Sequence, residues 1–109
     1  MFDRLKSWFN YDCEYQIFVG LNDKDQHKQI ISGIEAWRII GGIFPDGCTI
    51  AGAAGMYRGE NEKSLIVTIY GGSMERKAIK AKAELIRQAL NQNQVIVTVA
   101  RSKKTYWIG

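Results

Sequence analysis

Histidine, proline and cysteine are scarce in this chain: one His, one Pro and two Cys among 109 residues. Cys13 and Cys48 form no CxxC pair, so neither a zinc site nor a dithiol redox motif is written in. A reducing cytoplasm with both thiols free is the expectation. His27, the one histidine, lies among charges without a partner set at ligand spacing, so neither a metal site nor a general base is read there. No Ser/His/Asp set, Cys/His pair, P-loop or dinucleotide fingerprint is present. No helix-turn-helix pattern or RNA-binding signature appears either. No apolar run approaches membrane-spanning length. The first residues, MFDRLKSWFNYDCEY, carry Asp3, Arg4 and Lys6 where a secretory signal would be unbroken apolar. No metal or cofactor is implied, and neither a membrane nor a nucleic acid is expected as a partner.

Charge is also limited. Fifteen Lys and Arg against eleven Asp and Glu leave a net charge of +4. That excess is small and reads as a solvated surface rather than a nucleic-acid footprint. The hydrophobic content of 46% is ordinary and the length is that of one domain. Residues 1–14 form an amphipathic N-terminal segment, with Phe2, Leu5, Trp8 and Phe9 at helical spacing. Packing on the domain or on a neighbouring subunit is the favoured role for it. Residues 15–109 form the domain proper.

Along that domain, YQIFVG (15–20) is a strand and the polar LNDKDQHKQ (21–29) a loop. Ser32-Gly-Ile-Glu35 fits a capping box. It opens a helix from Gly33 to about Ile40, with Ile34, Trp37 and Ile40 on its buried side. Gly41-Gly42 is expected to end that helix. Phe44-Pro45-Asp46-Gly47 is a turn. The strand from Cys48 to Tyr57 carries little side-chain volume, as where a ligand or another backbone comes close. Arg58 to Asn61 forms a hairpin tip, and LIVTIY (65–70) is a strand with Leu65, Val67 and Ile69 on one face. The segment 73–91 is helical, with Ile79, Ala83, Ile86 and Leu90 recurring on one side. VIVTV (95–99) is a strand, and Thr105–Ile108 a short extra C-terminal strand.

The order strand, helix, strand, strand, helix, strand is that of a ferredoxin-like α+β fold, βαββαβ. Right-handed crossovers place both helices on one face of the sheet. The other face is left open, and its covering by self-association is expected, as a homotrimer.

Chemistry points to the hairpin. Tyr57 leaves one strand and Glu62 enters the next, and directly opposed hairpin positions lie with Cβ atoms roughly 5 Å apart. A phenol and a carboxylate would then meet on one ligand.

FVGLNDKDQHKQ, then FPDGCTIAGAAGMYRGENEKSLIVTIYG, then AELIRQALNQNQVIVTV resemble the bacteriophage S-adenosylmethionine lyases, formerly called hydrolases, over about Tyr15 to Val99. The resemblance implies a ferredoxin-like trimer with sites between subunits. It implies cleavage of S-adenosylmethionine to methylthioadenosine and homoserine lactone, the substrate's own carboxylate attacking its γ-carbon. Carried over, the family's tyrosine falls on Tyr57 and its essential glutamate on Glu62, with Glu60 as rival. Asn22, Gln29 and Ser64 are the candidate substrate contacts. Such a reaction needs positioning more than a base or a metal, since the sulfonium is already a good leaving group.

Two other readings stand beside this one. An adenylylated derivative, the type III CRISPR messenger SAM-AMP, shares the reacting centre. A lyase acting on it would serve anti-defence, and Arg101, Lys103 and Lys104 would suit the added phosphate. Alternatively, a ferredoxin-like trimer resembling the signal transducer P-two would bind its small ligand without cleaving it.

Overall fold

The computed structural model describes residues 12–101, 106 and 108, leaving aside the side chain of Tyr57. Four strands and two helices follow in the order β1 (Cys13–Gly20), α1 (Gly33–Ile43), β2 (Thr49–Tyr57), β3 (Glu60–Gly71), α2 (Arg76–Ala89) and β4 (Ile96–Ala100). A single 3₁₀ turn, Ser73–Glu75, leads into α2. The strands form one sheet in the order β2-β3-β1-β4, every neighbouring pair antiparallel. This is the expected ferredoxin-like arrangement. Of the expected N-terminal helical segment, residues 1–11 lie outside the described residues, while Cys13 and Glu14 belong to β1; of the expected strand at Thr105–Ile108, residues 105 and 107 lie outside them and Tyr106 and Ile108 are in no strand.

The sheet owes its two faces to strict alternation. Along β1, Cys13, Tyr15, Ile17 and Val19 are buried while the residues between them are only partly covered. Leu65, Val67 and Ile69 of β3 sit on the same side, opposite Val19, Ile17 and Tyr15. Ile79, Ala83 and Ile86 of α2, with Leu90 just beyond it, close over that face, as the helical spacing predicts. Tyr15 adds a polar anchor: its hydroxyl donates to the Gly72 carbonyl at 2.7 Å, where β3 hands over to the next turn. Burial accordingly pushes the Tyr15 phenol up from its ordinary value.

Helix α1 departs from expectation in two ways. Its start is as read, with Ser32 Oγ accepting from the Glu35 amide at 3.2 Å. Gly41 and Gly42, however, lie inside it, and the helix runs on to Ile43. Phe44 is buried at its C-terminal end, donates its amide to the Ile40 carbonyl and takes the Lys82 ammonium over its ring. Docking of Ile40, Ile43 and Phe44 outweighs the cost of about 1 kcal/mol that each helical glycine carries relative to alanine. The buried side is also different. Ala36 and Ile40 face the core, whereas Ile34 and Trp37 are 65% and 53% exposed. Apolar residues occupy more than one side of α1, so spacing alone did not select the face that docks.

Among the described residues, the other face of the sheet carries no helix. Phe18 pairs with Ile66 on one side and Ile96 on the other, and Gln16 with Thr68 and Thr98. Small residues continue this face into β2, where Ala51 and Ala53 lie opposite Ile66 and Ser64.

Tyr15→Phe should remove one of two donors to the Gly72 carbonyl, the Glu75 amide remaining at 3.1 Å, and cost about 0.5–1.5 kcal/mol. The check is the urea midpoint, expected to fall with the slope of the transition unchanged.

Candidate active site

At one end of the open face lies a cleft of about 400 Å³. Three segments build it: the end of β1 with its following loop, the β2–β3 hairpin, and the connection from α2 into β4. Phe18, Ser64 and Ile96 contribute its apolar and hydroxyl floor, and Glu62 its carboxylate.

Glu62 is placed by register. It pairs with Gly55, a residue without a side chain to fill the space opposite. On the other side lies Gly20: a Cβ built there would stand 2.5 Å from the carboxyl carbon and both oxygens of Glu62. Gly20 is therefore glycine because the carboxylate occupies that space. The Glu62 Oε2 atom accepts from the Asn22 amide at 2.9 Å, and the Leu21 amide donates to the Lys63 carbonyl at 2.9 Å. The carboxylate is thus held against the chain leaving β1, partly covered and with one oxygen committed to a backbone donor.

The hairpin tip is tighter than the expected Arg58–Asn61. Arg58 and Gly59 alone form it, with φ of 51° and 81°, the pair of left-handed residues that a two-residue hairpin turn requires. As a result Tyr57 pairs with Glu60, not with Glu62. Tyr57 and Glu62 stand two rungs apart rather than face to face. The Tyr57 side chain lies outside the described atoms. Glu60, the rival acid, is exposed at the mouth of the cleft, whereas Glu62 is partly buried within it.

Asn22 and Ser64 line the cleft as expected. Gln29 does not: its amide donates to the Ile31 carbonyl at 3.0 Å, and its backbone bridges to Asn22. Arg101 follows β4 at the far end of the sheet, since Ala100 pairs with Glu14 while Ile96 pairs with Phe18 beside the cleft. Lys103 and Lys104 lie outside the described residues. The cationic side chains that do line the cleft are Lys24 and Arg58, with His27 beside them.

Sequence reasoning missed the carboxamides of the α2–β4 connection. Gln92 is buried to 5% exposure, the only buried polar or charged side chain among the described residues. It donates to the Asn22 carbonyl at 2.8 Å and to the Leu90 carbonyl at 3.1 Å. Asn93 and Gln94 continue along the cleft wall. In sequence, Asn91-Gln92-Asn93-Gln94 shows no more than a polar exit from the helix. Its richness in two-way hydrogen-bonding groups beside a strand start was the available signal.

Loop 22–29 is internally braced. Asp23 accepts from the Asp25 and Gln26 amides at 3.0 Å each and from Asn91 Nδ2 at 2.7 Å. The Asn91 carboxamide, then the backbone donors, hold the Asp23 carboxyl below the usual aspartate range. Because the folded value is depressed, this brace is complete above the ordinary aspartate value and is lost as pH falls through the lower folded one.

No family model and no curated protein sequence matches this chain. Solved structures do. The chain aligns with a phage SAM lyase in its apo state at TM-score 0.68 and 22% identity, over 83% of this chain and 80% of that one. It aligns with a phage SAM lyase in complex with S-methyl-5'-thioadenosine at TM-score 0.64 and 21% identity, covering 83% and 81% respectively. A de novo designed protein, Foldit4, aligns at TM-score 0.50 and 10% identity over 84% of this chain and 98% of its own. These likenesses establish the shared fold.

Two outcomes follow from the geometry. Gly20→Ala should fold yet expel the Glu62 carboxylate, and the Asn22 amide resonance should move upfield as it loses its acceptor; an unmoved resonance would mean Glu62 was not held there. The Asp23 carboxyl ¹³C shift should titrate with a midpoint below the ordinary aspartate value.

Proposed function

We propose that this protein is a lyase that cleaves S-adenosylmethionine to methylthioadenosine and homoserine lactone. The carrying observation is the Glu62 carboxylate seated inside a cleft, on a fold shared with two phage SAM lyase structures, one holding S-methyl-5'-thioadenosine. The substrate carries a sulfonium and an ammonium. A carboxylate with one oxygen tied to the Asn22 amide and the other free opposes such charge without becoming a nucleophile itself.

In this reading the substrate carboxylate attacks its own γ-carbon. The new C–O bond closes the lactone, and the C–S electron pair leaves on sulfur as the neutral thioether. The protein supplies positioning, which reaches about 7–11 kcal/mol in the best-oriented intramolecular reactions. Asn22 and Ser64 contact the bound ligand from the floor. By the family resemblance, Tyr57 is the residue that orients the methionine portion and offers its ring to the cation.

The active form is a homotrimer. The open face, with Ile96 and Tyr70 54% and 44% exposed, is covered by neighbouring copies that close the cleft. The adenylylated substrate SAM-AMP is favoured by one observation: Lys24, Arg58 and His27 border the cleft where an added phosphate would sit. Side-by-side turnover of the two compounds ranks them.

Incubation with S-adenosylmethionine followed by chromatography should yield methylthioadenosine. Glu62→Gln should lower turnover about 100-fold or more, while Glu60→Gln retains most of it. Intact substrate after prolonged incubation with either compound points instead to a ligand-binding regulator of the P-two type. Full activity in Glu62→Gln removes that residue from its role.

A further inference from the structure

We propose that Asn91 is the positioning residue that holds the 22–29 wall of the cleft in its ligand-ready place. Asn91 does not line the cleft. It follows α2 and has φ of 49°, the left-handed conformation in which helices commonly stop. Glycine fills that position more readily than any other residue. The carboxamide is therefore not needed to end the helix.

Its contacts lie elsewhere. Asn91 Nδ2 donates to Asp23 Oδ1 at 2.7 Å and to Asp25 Oδ2 at 3.0 Å. One –NH₂ group carries two protons, so each carboxylate receives one. Two like charges that would otherwise push the loop apart are thereby drawn to a single donor. The Asn91 carbonyl in turn accepts from the Lys24 amide at 3.0 Å. Gln92 completes the junction through the Asn22 carbonyl. The loop closed in this way is the one that presents Asp23, Lys24 and His27 to the cleft. His27 itself has φ of 57°, in the left-handed region that histidine enters more readily than most non-glycine residues, and its amide donates to the Asp23 carbonyl at 2.9 Å.

The consequence is thermodynamic. With the latch made, the wall is already formed before ligand arrives. Without it, the wall is formed only part of the time, and apparent affinity falls by that fraction while the bound state is unchanged. The kinetic part of this inference rests on the lyase reading above; the structural part does not.

Two variants of the full chain test it. Asn91→Gly keeps the backbone conformation and removes the donor. Asn91→Asp keeps the size and turns the shared donor into a third acceptor. Amide exchange on the ligand-free protein should show about tenfold less protection at Asp23, Lys24 and His27 in both variants, with the core amide of Val67 unchanged. With S-adenosylmethionine, KM should rise about tenfold and kcat stay within about twofold. Unchanged loop protection in both variants overturns the latch, as does Asn91→Asp behaving like the parent. A fall in kcat at constant KM, with Val67 protection lost, also overturns it, since that marks a general loss of folded protein. If the parent protein turns over no substrate, the lyase reading fails and the exchange result alone decides the latch.

Discussion

The hydrogen bond from the Asn22 amide to the Glu62 carboxylate joins two parts of the chain that are 40 residues apart in sequence. It fixes the strand end of β1 against the β2–β3 hairpin. Gly20 and Gly55 clear the space the carboxylate needs. Asn22 is tied in turn, through its carbonyl, to the buried Gln92 beyond α2. Remove that seat and the cleft loses the acid that its hairpin supplies, and the loop after β1 loses one of its attachments to the sheet. The alternation of β1 and β3 makes the seat possible: with both helices on one face, the even-numbered positions from Glu62 to Tyr70 are left facing outward, where a ligand or another copy of the chain can reach them.

Much of this was legible in advance. The face of β3 marked by Leu65, Val67 and Ile69 and the 79/83/86/90 spacing in α2 gave the layers, because those are the positions the two elements bury against each other. The order of elements gave the sheet. Helix α1 was misread because Ile34 and Trp37 compete with Ala36 and Ile40, and only contact with the sheet decides between two apolar sides. Gly41-Gly42 carries the local signature of a helix end, and only the packing of Phe44, which no local pattern shows, extends the helix past it.

The site was legible in part. Glu62, Asn22 and Ser64, read from the hairpin and its polar neighbour loop, do line the cleft. The facing of Tyr57 with Glu62 was not, since a turn of two left-handed residues lets β3 begin at Glu60, two positions earlier than after a four-residue tip. Gln29 was misplaced because a side chain in an irregular loop has no period to reveal its direction. Asn91 and Gln92 were overlooked because their partners lie about seventy residues away in sequence, a relation that no local pattern carries. A fold of this kind is also adopted by a designed protein, so shape alone assigns no chemistry. The chemistry rests on the cleft and on the carboxylate within it.

The most direct measurement is a titration of the ¹⁵N-labelled protein with S-methyl-5'-thioadenosine. Saturable shifts confined to the amides of Gly20, Asn22, Ser64 and Gln92, with the far end of the sheet around Glu14 and Ala100 unmoved, are the predicted result. Shifts centred on α1 or the far end, or none at millimolar ligand, would contradict the placement of the site.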